Sequence, residues 1–80
     1  MYLEYNVEEE CFGIRNETGW EVPRILYGQE IMVHVEGEWY RVEMKRSTAS
    51  KHSLGWYLVG LNLLQLVGLT ASPIYTAEAV

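Results

Sequence analysis

Three side chains could carry nucleophilic, proton-transfer or metal chemistry: Cys11, His34 and His52. A metal site needs His, Cys or carboxylate ligands at close, repeated spacing, and these three stand alone, with no pair two or three residues apart. A thiol nucleophile needs a nearby base; Cys11 and His34 could pair only if folding brought them together, and nothing local does so. A Ser-His-Asp constellation lacks its acid, because all eleven acidic residues are glutamate. Gly55 and Gly60 have the spacing of a phosphate-binding loop, but Leu61 and Asn62 follow where Lys and Ser or Thr are needed. Paired glutamates could do acid–base work, yet Glu36, Glu38 and Glu43 read as exposed charges around a turn. The reading is a non-enzyme with no metal and no cofactor.

Binding chemistry is better represented. Arg41, Lys45, Arg46, Lys51 and His52 concentrate most of the positive charge within twelve residues, beside Trp39. Cations next to an aromatic ring suit phosphate contact and base stacking, although such a run reads first as a solvated loop leaving a hairpin. Trp39 with His34, Glu36, Arg41 and Glu38 forms a second candidate set, an aromatic anchor among charges such as protein interfaces use. Nine large aromatics (Tyr2, Tyr5, Trp20, Tyr27, Trp39, Tyr40, Trp56, Tyr57 and Tyr75) exceed what a domain this small buries. Trp56 is read as core.

The elements that must position these residues are short strands. Eighty residues make one domain, with an ordered core over about 2–75. Such a chain buries only roughly 60% of its unfolded surface, so a homodimer or partner could complete its core. Nearly half the residues are apolar and the net charge is −5. That balance disfavours nucleic acid and membrane headgroups and favours basic protein surfaces. A single cysteine allows no internal disulfide and fits a cytoplasmic protein; Cys11, beside Phe12, reads as a buried thiol. Met1-Tyr2-Leu3-Glu4 lacks the basic and apolar regions of a signal peptide. The charge-free run from Ser53 to Ala77 approaches membrane-spanning length. Asn62, Gln65 and three glycines interrupt it, and it is read as core rather than span.

Tyr2 to Asn6 alternates as a strand, Glu8-Glu9-Glu10 turns, and Cys11 to Ile14 returns before the turn at Asn16 to Gly19. Trp20 to Val22 is extended ahead of Pro23. Glu30 to Val35 alternates clearly, Glu36-Gly37 makes a tight turn, and Glu38 to Lys45 runs back. A two-residue loop pairs Val33 with Tyr40 and Ile31 with Val42. Ile31, Val33, Val35, Tyr40, Val42 and Met44 then share one face, with Met32, His34, Trp39 and Arg41 on the other; a bulge at Gly37 would shift that register. Lys45 to Ser53 is a polar loop, and Gly55 to Gly60 reads as a fully buried central strand. Leu61 to Val67 fits a strand, a loop or one short helical turn. Leu69 to Tyr75 supplies a last strand, held to an edge by Pro73. The fold class is all-β, a five- or six-stranded antiparallel SH3-like barrel or a strongly bent sheet.

Leu3-x-Tyr5-Asn6, Tyr27-Gly28-x-Glu30-Ile31-x-Val33-x-Val35-x-Gly37-x-Trp39, Gly55-Trp56-Tyr57-Leu58-Val59-Gly60-Leu61 and Gly68-Leu69 together resemble a family of small bacterial proteins of unknown function. That family is frequent in Firmicutes and in their phages and mobile elements, and the likeness runs from Leu3 to about Ile74. The loop from Lys45 to Ser53 is longer than the family's, and Thr70-Ala71-Ser72-Pro73 replaces a charged ending. The resemblance implies a small cytoplasmic protein of a mobile element and supplies no catalytic residue. With the acidic charge, it leads to the expectation of a protein-binding module directed at a host protein, such as an inhibitor of a CRISPR or other nucleic-acid-dependent defence effector. Two alternatives stand beside it. One is a small barrel that binds nucleic acid through Trp39, Arg41, Lys45, Arg46, Lys51 and His52. The other is a structural or oligomerisation subunit using the apolar run from Leu54 to Ala71.

Overall fold

The alternation at Glu30 to Val35 and the Glu36-Gly37 turn build the central hairpin of the computed structural model, which describes residues 1–47, 52–62 and 65–74. Seven strands form among these residues: β1 (Tyr2–Asn6), β2 (Cys11–Arg15), β3 (Trp20–Val22), β4 (Glu30–Val35), β5 (Glu38–Arg46), β6 (Trp56–Leu58) and β7 (Ala71–Pro73). β4 and β5 pair in the register of a two-residue loop, Val33 opposite Tyr40 and Ile31 opposite Val42, with no bulge at Gly37. Glu36 and Gly37 both take positive φ (51° and 86°), the requirement of a hairpin turn matched to strand twist.

Asparagine side chains close the first two turns. The Asn6 carboxamide oxygen accepts the N–H groups of Glu8 and Glu9, and its nitrogen donates to the Pro23 carbonyl at 2.7 Å. A run of three glutamates is thereby tied to a buried residue, despite its like-charge repulsion. Asn16 does the same between β2 and β3, accepting from the N–H groups of Thr18 and Gly19, each at 2.9 Å.

The strands form two antiparallel sheets, β1-β2-β3 and β6-β5-β4-β7. One stretch of backbone connects them. Leu3 donates to Leu69 and Gly68 to Leu3, both at 2.8 Å, while His34 donates to Thr70 at 2.9 Å and Ala71 to Met1 at 3.1 Å. β7 then continues along β4, with Ala71 opposite Val33 and Pro73 opposite Ile31. The result is a strongly bent, all-β structure rather than a closed barrel, since β3 and β6 form no ladder with each other. Leu3, Phe12, Ile14, Ile25, Ile31, Val33, Met44, Leu58 and Leu66 fill the space inside the bend. Each such side chain contributes about 1.5–3 kcal/mol through burial.

Two expectations change, and one left open is narrowed. Seven strands form instead of five or six, because the extended Trp20–Val22 pairs with β2 as a true strand, β3. The run around Trp56 is not a fully buried central strand. The central hairpin occupies one side of β5, so β6 takes the free side and becomes an edge, alternating buried Trp56, exposed Tyr57 and buried Leu58. The described part of Leu61 to Val67 is irregular chain entering a turn; residues 63 and 64 lie outside the described set. The single helical turn among the described residues is a 3-10 turn at His52–Gly55, where Leu54 and Gly55 adopt positive φ. Pro73 does sit on an edge strand, and Tyr75 lies outside the described residues. Among the described residues, no helix is long and apolar enough to cross a membrane.

Gly13 shows how tightly β3 closes over β2. A Cβ there falls 2.5 Å from the Val22 carbonyl oxygen, 2.8 Å from that of Pro23 and 2.9 Å from the Trp20 ring. Gly13→Ala must push backbone aside and should cost about 1–3 kcal/mol. Gly60→Ala meets no atom within 4 Å and bears only the strain of its φ of 90°. Urea unfolding of the two variants should rank Gly13→Ala as clearly the less stable.

Candidate interaction face on the central hairpin

Strand alternation gives the four-stranded sheet an inner and an outer face. Ile31, Val33, Val42, Met44, Trp56 and Leu58 point inward and are buried. The outer face carries Glu30, Met32 and His34 from β4, Trp39, Arg41, Glu43 and Lys45 from β5, and Tyr57 from β6. Val59 extends it, its N–H bonding the Glu43 carbonyl at 2.9 Å. An outer face of a small sheet is usually polar. Here Trp39 is 50% exposed, Tyr57 38% and Val59 41%.

β4 and β5 also outrun the core. Val35 and Tyr40 alternate inward as expected, but Val35 is only partly buried and Tyr40 remains 37% exposed. With Trp39 open on one face and Tyr40 on the other, the tip of the hairpin is uncovered on both sides. Trp39 is ordered there by His34, directly opposite, their rings meeting edge to face at 5.0 Å. Tyr40 donates its hydroxyl to Glu38 at 3.4 Å. Arg41 holds Glu30 through Nε at 3.2 Å and Nη2 at 2.9 Å. Of the five residues proposed for partner contact, Trp39, Glu36, Glu38, His34 and Arg41, all lie in this one hairpin.

The basic run does not stay together. Arg41 and Lys45 share the outer face, while Arg46 points to the other side. There its guanidinium lies 5.7 Å over the Trp56 ring and donates to the Leu54 carbonyl. His52 opens the 3-10 turn, and Lys51 lies outside the described residues. Trp56 is core, 8% exposed, with an indole N–H that finds no acceptor among the described residues. Tyr57 and Val59 were missed as face residues because the segment reads as one apolar run. The signal was present in its period-two order, visible only once β6 is known to be an edge.

Cys11 is buried, and burial pushes its thiol above the ordinary range; Glu9 adds to this, while a backbone hydrogen bond with Ile25 and the charge of Arg24 pull the other way without cancelling it. Among the described residues no three His, Cys or Glu side chains converge as metal ligands. A depression of about 440 Å³ is lined by Met1, Tyr2, Asn16, Glu17 and Thr18, where Asn16 is already spent on its turn.

A family model described as a domain of unknown function, DUF5348, matches residues 1–72. No curated protein and no solved structure matches the chain.

Two outcomes follow from this geometry. Trp39→Ala should change stability by less than about 1 kcal/mol, whereas Trp56→Ala should cost about 3–5 kcal/mol; denaturant midpoints compare them. An unfolded thiol ionises near pH 8.5, and the folded Cys11 does so higher. Its stabilising contribution is therefore complete below about pH 8.5 and lost as pH rises through the folded value. Iodoacetamide at about that pH should alkylate the native protein much more slowly than the urea-unfolded chain.

Proposed function

The chain belongs to the DUF5348 family, a domain of unknown function, and on that premise we propose that it is a non-enzymatic protein-binding module whose contact element is the tip of the β4–β5 hairpin. The observation that carries the reading is Trp39, half exposed, braced by His34 and flanked by Glu36 and Glu38 on a hairpin that outruns its core. A tryptophan pre-ordered in this way loses little side-chain freedom on binding, which is how interface hot spots work. The glutamates around it favour a basic recess on the partner, as does the net charge of −5.

In its narrower form the partner is a host nucleic-acid-dependent defence enzyme, a CRISPR effector among them, inhibited in the cytoplasm by a protein of a phage or mobile element. An exposed ring can stack as a base does, and the acidic balance of the chain favours a basic nucleic-acid channel, so the tip can compete for one. Direct nucleic-acid binding has less support. Of its residues whose side chains are described, Trp39, Arg41 and Lys45 share a face, while Arg46 turns to the other side over Trp56.

The test uses the wild-type chain, Trp39→Ala and Glu36→Lys/Glu38→Lys as parallel baits in a bacterial lysate. A specific partner should be retained by wild type at moderate salt. Its affinity should fall on the order of tenfold or more for either variant. A partner held equally by all three baits, or none at all, defeats the proposal. Tight fluorescence-anisotropy binding to single-stranded RNA or DNA transfers the function to the nucleic-acid reading.

A further inference from the structure

The outer face of the four-stranded sheet is balanced in charge. Its two glutamates, Glu30 and Glu43, are matched by two cations, Arg41 and Lys45, so the whole excess of five negative charges lies elsewhere. Two copies of an acidic protein repel each other over most of their surfaces. This face is where that repulsion vanishes, and it is also where Trp39, Tyr57 and Val59 are exposed.

The order of residues along the face is self-complementary. Down β5 it runs Trp39, Arg41, Glu43, Lys45, with Tyr57 beside Lys45. A two-fold axis crossing the strands between Arg41 and Glu43 sets each Arg41 against Glu43 of the other copy. The same axis sets each Trp39 against the other copy's Lys45 and Tyr57. Symmetric contacts of this kind are what a closed dimer requires. The pairing also relieves a defect within the monomer. Glu30 and Glu43 sit directly opposite each other, an unfavourable like-charge pair. Arg41 answers Glu30 through Nε and Nη2, leaving Nη1 to donate across the interface.

We propose that the protein self-associates through this outer sheet face as a face-to-face two-fold dimer. From Trp39 to Lys45 the face spans about 20 Å, and since β6 and β7 flank different rungs of the hairpin it is about 5–10 Å wide. That footprint is smaller than the roughly 800 Å² per partner of a standard interface, so the dimer is weak and fills at high micromolar concentration. The inference does not rest on the partner-binding reading, but the two compete for Trp39. Self-association shields the exposed ring until a tighter partner displaces it.

Sedimentation velocity of the full chain over a dilution series tests this. The average mass should rise from that of the 9.3 kDa monomer towards twice that value with concentration. Arg41→Glu and Glu43→Arg should each weaken association by about tenfold, and the double variant should restore it. Tyr57→Glu should abolish it, and Glu8→Gln, exposed in the first turn and outside the face, should not. Far-UV circular dichroism confirms that each variant is folded. A monomer at every concentration overturns the proposal, as does a dimer indifferent to Arg41→Glu and Tyr57→Glu. A double variant that fails to recover overturns the two-fold register. None of these outcomes depends on whether a partner binds the hairpin tip.

Discussion

The backbone from Gly68 to Pro73 hydrogen-bonds to β1 along its first half and to β4 along its second. Neither sheet is self-sufficient without it. β1, β2 and β3 form a small ribbon, and a two- or three-stranded ribbon is marginal in water unless its apolar face is covered. The shared segment holds that ribbon against the four-stranded sheet, and Leu3, Phe12 and Ile14 meet Ile31, Val33 and Met44 inside the bend. Its bonds to Met1 and Leu3 join the two ends of the described chain. The fold therefore commits its loop-closure cost to one long-range pairing that must form before the core is complete.

The free hairpin tip is a consequence of the same geometry. β7 covers β4 only at Ile31, Met32 and Val33, and β6 covers β5 only at Met44, Lys45 and Arg46. One further bond on each edge, His34 to the Thr70 carbonyl and Val59 to that of Glu43, ends the contact; past it no described segment pairs with the hairpin tip, and Trp39 and Tyr40 are exposed on opposite faces. A sequence that spends a tryptophan and a tyrosine there stabilises the fold little, which is why the tip stands out as a binding element rather than a structural one.

Charge is distributed with equal economy. Glutamates crowd the first turn and the hairpin tip, where solvent screens them, while the outer sheet face is balanced by Arg41 and Lys45. Buried polar groups are few. Asn6 is fully used by its turn and by Pro23. Among the described residues two buried polar atoms lack a hydrogen bond: Glu4 Oε2, which has the charge of Arg15 at 3.5 Å, and the Trp56 indole N–H, where Arg46 over the ring compensates part of the cost through cation–π attraction.

Local order was legible wherever a local rule governs it. Alternation from Glu30 to Val35 and a two-residue Glu36-Gly37 loop determine which side chains face inward and which rungs pair. Pro73 cannot donate to a second neighbour and so marks an edge, and Cys11 in an apolar run is buried. The hairpin candidates Trp39, His34, Glu36, Glu38 and Arg41 were legible for the same reason. The tertiary structure alone decided that β6 is an edge, that Arg46 leaves the face of Arg41 and Lys45, and that Gly68 to Pro73 serves both sheets. Tyr57 shows why. Period two states that it points away from Trp56 and Leu58, but whether that side meets protein or water depends on which strand lies beside β5, and long-range pairing leaves no periodic trace in the chain.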